Sequence, residues 1–307
     1  MELGLFVTPQ QGATYGDQLA AARTAEAAGF RSFVRSDHYL ANGNDIRPPG
    51  PTDTWITLAG LARETDTIGL GVMVSAATFR PPGLMSVIAA QVDDMADGRL
   101  IFGLGTGWND REHQALGLDF PPLRERFDRL EEQLEVLTGL WSTSVGDTFT
   151  HHGRHYDLEG APGLPKPHRR PHPHLVVGGL GAVRTPTLAA RFADEFNLPP
   201  FQTPEQARAA FDRVRDRCTE LGRPPESLST SLTLTTFCGR DSSELERRAA
   251  VAPWDAARAA LRGSPAEIVD ALATFEATGA TRAYLRVLDL TDLDHIELLA
   301  EALRPGG

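Results

Sequence analysis

A short apolar run followed by a longer segment of helical spacing recurs along this chain, and that alternation limits the fold more than any other feature. The runs lie at residues 3–7, 31–35, 68–74, 99–105, 174–177, 195–198, 228–237 and 282–287. Each reads as a strand, and 99–105 has the length and character of one buried on both faces. The segments between them read as helices, over 15–29, 52–65, 82–96, 123–141, 184–193, 204–221, 265–278 and 292–303, the first with Ala and Leu at helical spacing and 123–141 a long charged run. Thr52 or Asp53 suits the N-cap of the second and Pro82 the first turn of the third. Strand–helix alternation implies parallel pairing through right-handed crossovers. Eight such units in 307 residues point to a closed (β/α)8 TIM barrel, the alternative being an open doubly wound sheet.

One segment breaks the rhythm. Residues 142–173 carry four glycines and five prolines, with a small hairpin predicted over 149–156. Because the alternation resumes at once, this reads as an insertion between helix 4 and strand 5 of a single 1–307 domain. A polar, helical-looking stretch follows Gly239.

At a net charge of −11, an anionic membrane or a nucleic acid is not expected as partner. The two cysteines, Cys218 and Cys238, form no disulfide framework or metal-ligand spacing and fit a reducing compartment. Residues 1–6 read as a strand instead of a signal peptide, so the cytoplasm is the expected location.

A barrel gathers the exits of its strands on one face, where active sites form. Those exits carry Asp37 and His38 after strand two, residues 73–80 after strand three, and Thr106, Gly107 and Trp108 after strand four. Gly178, Gly179 and Gly181 follow strand five, Asn197 leaves strand six, and Arg286 lies late in strand eight. The richest stretch is 98–113, GRLIFGLGTGWNDREH, in which Gly103, Gly105 and Gly107 let another group approach the backbone closely. Glycines just ahead of a helix expose N–H groups, so 178–181 reads as a cradle for a phosphorylated ligand. Gly103-x-Gly105-x-Gly107 lacks the dinucleotide spacing and lies outside the first βα unit, which argues against a Rossmann nicotinamide site. His38 beside Asp37 is suited to move a proton. The histidines at 151, 152, 155, 168, 172 and 174 lack partner carboxylates or cysteines at ligand spacing, so no metal is expected. A nucleophile elbow and a hydrolytic carboxylate pair are also absent.

Four pieces of sequence together resemble the bacterial luciferase-like superfamily: Ser36-Asp37-His38, IGLGVMVSAATFRPP, ADGRLIFGLGTGWNDREHQALG and HPHLVVGGLGAVRTPTLAARFADEFN. Within it, the chain is most similar to coenzyme F420-dependent oxidoreductases, over essentially its whole length. The resemblance implies a (β/α)8 barrel that binds a flavin or 5-deazaflavin at the strand exits and moves a hydride between F420 and a small organic substrate. An FMN-dependent, reduced-flavin monooxygenase is the alternative, and a non-catalytic flavin-binding protein a further one. It implies Asp37 and His38 beside the ring, with His38 as proton donor and Trp108 as the other catalytic candidate. Met73 and Val74 match a non-proline cis peptide backing the ring. Ala76, Thr106 and Gly107 match cofactor contacts, and Gly178, Gly179, Leu180 and Gly181 the phosphate cradle. Trp108, Phe79 and Phe201 are expected as walls, with Glu112 and His113 behind them, and residues 42–51 and 240–263 as lids. A homodimer is implied by the family. One departure stands out: the sugar-phosphate dehydrogenases of this superfamily carry a catalytic glutamate where this chain has Trp108. A basic pair for a substrate phosphate is also missing, Lys166 being the only lysine.

Overall fold

The computed structural model describes residues 1–41 and 48–302. The first four strand–helix units are β1 (Glu2–Val7) and α1 (Tyr15–Ala28), β2 (Ser32–Arg35) and α2 (Thr54–Glu64), β3 (Gly69–Ala76) and α3 (Pro82–Met95), then β4 (Leu100–Gly105) with α4 (Asp110–Leu116) and α5 (Leu123–Ser142). An antiparallel hairpin of β5 (Phe149–His152) and β6 (Asp157–Ala161) comes next, longer than the sequence predicts. The alternation resumes with β7 (His174–Gly178), α6 (Arg184–Phe192), β8 (Glu195–Leu198), α7 (Pro204–Glu220) and β9 (Ser229–Cys238). The polar stretch after β9 folds as α8 (Ser242–Ala249), α9 (Pro253–Ala256) and a short strand β10 (Leu261–Gly263). It is followed by α10 (Pro265–Glu276), β11 (Arg282–Val287) and α11 (Leu293–Ala302).

Eight parallel strands close into a ring in the order β1, β2, β3, β4, β7, β8, β9, β11, with β11 pairing back onto β1. This is the expected barrel, and β10 merely extends the exit of β9. Side chains alternate across each strand. Leu5, Val7, Phe33, Leu70, Val72, Leu100 and Phe102 face the helices in one core, while Phe6, Val34, Met73, Ile101, Val176 and Tyr284 fill the barrel interior. Each large apolar side chain buried this way contributes about 1.5–3 kcal/mol. The helices start where side chains satisfy their first N–H groups: Thr14, Thr203 and Ser264 form capping boxes, and Asp53 accepts from Trp55 N and Ile56 N.

Glu195 seals the end of the barrel at which the strands begin. Its fully buried carboxylate accepts from His174, Ser231 and Tyr284 and pairs with Arg282. Burial alone would push its pKa up; these donors and charges reverse that and hold it below the usual carboxylate range. Among the described residues, the opposite end, where the strands exit, holds a cavity.

Candidate active site

The peptide between Met73 and Val74 is cis, and the β3–β4 register shifts between Val72 and Ser75. Across that shift the Val74 side chain lies against β4 and β7. A Cβ at Gly105 would stand 2.8 Å from Val74 Cγ2, one at Gly103 2.8 Å from Cγ1, and one at Gly178 3.1 Å from Cγ1. The bare backbone in β4 and at the end of β7 is therefore filled from within: the group approaching those glycines is Val74 of the same chain, where the sequence reading leaves its identity open. Val74 remains partly exposed and forms part of the floor of a cavity of about 550 Å³ at the strand exits. Gly107 differs, adopting φ +76° where the chain turns out of β4.

Beyond Gly107 the chain enters α4, a helix missing from the sequence reading, in which Asn109 Oδ1 accepts from Glu112 N at the N-cap. This short turn buries Glu112 and His113 completely. His113 donates from Nδ1 to the Asn109 carbonyl at 2.7 Å, so its Nε2 accepts from the Thr78 hydroxyl at 2.7 Å. Glu112 reaches across the cavity wall to the β2 exit. Its Oε1 accepts from the backbone N–H of Tyr39 and, at 3.1 Å, of Leu40. Its Oε2 accepts from His38 Nδ1 at 2.9 Å. The carboxylate thus sets the tautomer of neutral His38: Nδ1 carries the proton and Nε2 is the ring nitrogen left for the cavity that His38 lines. Trp108 packs edge-on against the His38 ring, centroids 5.3 Å apart, with two-thirds of its own surface exposed at the mouth (66%).

Asp37 is locked more tightly. Its Oδ2 accepts from Ser75 Oγ and Arg80 Nη1, both at 2.6 Å. Arg80 also reaches Asp53 and the Tyr39 hydroxyl. Burial would lower the Arg80 pKa, but Asp37 and the neighbouring acids hold it above the usual arginine value. The β2 exit is thereby tied to the β3 exit. Arg35, fully buried at the end of β2 two residues earlier, binds Gln18 and Thr52 and anchors the start of α2; burial lowers its pKa to about 10.

The luciferase-like monooxygenase profile matches residues 1–261. The chain belongs to the luciferase-like monooxygenase family. An F420-dependent glucose-6-phosphate dehydrogenase of Microbacterium testaceum is 29% identical over 208 residues, which cover 67% of this chain and 59% of that protein. Pyrimidine monooxygenase RutA of Allorhizobium ampelinum is 30% identical over 43% of this chain and 36% of its own length. The chain thus spans only part of these relatives. Among solved structures, an F420-dependent secondary alcohol dehydrogenase holding an F420–acetone adduct superposes with a TM-score of 0.85, at 18% identity and 99% coverage of both chains. Long-chain alkane monooxygenase LadA superposes at 0.81, with 16% identity and 99% and 91% coverage. At these identities the superpositions establish the fold alone.

In this luciferase-like barrel, one cavity is lined by Asp37, His38, Met73, Val74, Ala76, Thr106, Gly107, Trp108, Gly178, Gly179 and Leu180. Gly181, grouped with them from the sequence, stands apart: it does not line the cavity, and a Cβ there would meet Thr185 and, at 3.4 Å, Phe127. Phe79 and Phe201 also line it, and the fully buried Glu112 and His113 back that lining. Thr8, Gln10 and Thr233 also line it; no motif marks them, Thr8 and Gln10 lying just beyond the end of β1 and Thr233 midway along β9. The histidines at 152 and 174 pair with Asp157 and Glu195, away from this face. Of the two lid segments, residues 42–47 lie outside the described residues, while 240–263 form α8, α9 and β10.

Proposed function

We propose that this chain is an oxidoreductase that binds a 5-deazaflavin of the F420 type and transfers a hydride between it and a small organic substrate. The observation that carries this reading is the pairing of His38 with a fully buried Glu112 above an apolar floor at the barrel mouth. The residues present fit a flat ring with a phosphate tail. Met73 and Val74 offer the ring an apolar face, and side chains at Gly105 or Gly178 would displace that face. Gly179 and Leu180 lead to α6, whose first N–H groups have no side-chain cap and suit an anion. Thr106, Gly107 and Ala76 would flank the ring.

When bound, the cofactor supplies the two-electron chemistry; the protein supplies binding, orientation and proton handling. His38 Nε2 accepts a proton from, or delivers one to, the substrate oxygen, and Glu112 stabilises the imidazolium that forms. Asp37, immobilised by Arg80 and Ser75, keeps the β2 exit rigid. Trp108, Phe79 and Phe201 exclude water from the reacting face.

Titrating F420 and FMN separately and following fluorescence quenching tests the reading. Quenching of F420 that is lost in Gly178→Val is expected. Tight FMN binding without F420 binding would replace the proposal with a reduced-flavin monooxygenase.

A further inference from the structure

Away from the Val74 floor and the aromatic walls, one sector of the cavity is polar. In the closed ring β11 lies diametrically across from β4, flanked by β1 and β9. Arg286 of β11 is in register with Phe6 of β1 and Thr235 of β9, and Thr8 follows at the exit of β1. Among the described residues, three buried polar atoms in this sector have no hydrogen-bond partner: Arg286 Nε, Thr8 Oγ1 and Thr235 Oγ1. Arg286 and Thr8 both line the cavity. A buried donor left unpaired is costly, so such groups mark positions that a ligand or water completes.

The Arg286 guanidinium is already neutralised. Its Nη2 is bonded to Asp255 of α9, and its face lies 5.2 Å from the Phe201 ring centroid. Arg258 also lies over this aromatic group, its guanidinium carbon 4.5 Å from the Phe201 ring centroid and 4.4 Å from that of Trp254. Asp37 is paired with Arg80 and Glu112 with His38. Each charged side chain among the described residues lining the cavity is therefore matched, and an anionic substrate would have to displace Asp255.

We propose that this sector selects an uncharged substrate, one bearing a carbonyl or amide oxygen that accepts the Arg286 Nε–H beside Thr8, with Asp255 excluding carboxylates and phosphates. The inference rests on the oxidoreductase reading and names its substrate class. Burial lowers the pKa of Arg286 while Asp255 raises it, in keeping with a guanidinium held by one carboxylate in a dry wall.

The test uses an isosteric pair, cyclohexanecarboxamide and cyclohexanecarboxylate, with saturation-transfer NMR on the full chain, with and without F420. The wild type is expected to bind the carboxamide at least about tenfold more tightly than the carboxylate, as one well-made hydrogen bond against an excluded charge requires. Arg286→Lys keeps the positive charge but lacks Nε, and is expected to lose that binding by about tenfold. Asp255→Asn leaves Nε in place and is expected to acquire carboxylate binding. Urea unfolding confirms that both variants fold, and if Arg286→Lys does not, Asp255→Asn carries the test. A wild type that prefers the carboxylate or binds neither probe overturns the proposal. So does undiminished carboxamide binding in a folded Arg286→Lys variant, or an Asp255→Asn variant that still rejects the carboxylate. F420 quenching is read separately: lost quenching with the carboxamide preference intact refutes the cofactor assignment and leaves the substrate sector standing.

Discussion

Replacing Glu112 with Gln is the most incisive perturbation, because the new side chain fits the same space and changes one proton. Oε1 can go on accepting from Tyr39 N–H and Leu40 N–H. The amide nitrogen then occupies the place of Oε2, 2.9 Å from His38 Nδ1. An amide N–H can only donate, so Nδ1 must accept, and the proton of neutral His38 moves to Nε2. The variant therefore keeps the packing of α4 and inverts the histidine. Exchanging charge-assisted bonds for neutral ones at a fully buried position should cost about 1–3 kcal/mol, read as a shift of the urea midpoint at constant m. The tautomer itself is read from the ring ¹⁵N shifts of His38, which need no cofactor or substrate. Where a neighbouring carboxylate aligns a catalytic histidine, the wrong tautomer lowers turnover by up to about 10⁴. Identical ¹⁵N shifts in wild type and variant, or a change in m signalling a rearranged fold, would refute the claim that Glu112 sets the proton on His38.

Gly105→Ala should destabilise the fold by about 1–3 kcal/mol and weaken F420 quenching, since its Cβ would stand 2.8 Å from Val74 Cγ2. Adding Val74→Ala should restore much of the stability; no rescue by the double variant would contradict the glycine–valine packing. Trp108→Ala should leave the unfolding midpoint within about 0.5 kcal/mol, because the side chain is two-thirds exposed, while KM rises more than kcat falls. Buried His295 accepts from Cys238 N–H, and burial lowers its pKa from 6.5 to about 4. The unfolded chain thus takes up that proton first. Stability from this group is complete above pH 6.5 and drains away as the pH falls toward 4, by on the order of 1 kcal/mol between pH 7.5 and 5.5. His295→Gln should flatten that part of the pH profile in urea denaturation.

The barrel was legible because its cause is local: each buried strand is a contiguous apolar run, and each helix carries its own cap and spacing. Residues at strand exits were legible for the same reason, since closing the ring brings Asp37, His38, Thr106 and Gly178 together whatever their side chains do. Pairings set by tertiary approach were not. His38 and Glu112 stand 74 positions apart, and nothing local in the sequence pairs them. Gly103 and Gly105 read as room for a ligand, whereas Val74 fills that room. The seven-residue α4 is too short for a periodic signal, and the three-residue β10 shorter still.

The two ends of the barrel differ in a way that explains why one is a scaffold and the other a site. Where the strands begin, Glu195 brings a full charge into the interior, and four side chains answer it. Such a network stabilises by being complete, and it offers nothing to a ligand. Where the strands end, Asp37 and Glu112 are equally well answered, but by groups that hold His38 and the β2 exit in place for something else. On the same rim, Arg286 Nε and Thr8 Oγ1 have no partner among the described residues. Both ends are built from the same strands, and unfinished hydrogen bonding alone does not separate them, since Ser32 Oγ at the start of β2 and Arg99 Nε just before β4 also lack partners among the described residues; what sets the exit end apart is that Arg286 and Thr8 line a cavity. If Arg286 Nε and Thr8 Oγ1 instead hold only water, then Arg286→Met with Thr8→Val should cost little or raise stability without altering ligand selection. If they read the substrate, the same pair of changes erases the preference for a neutral oxygen.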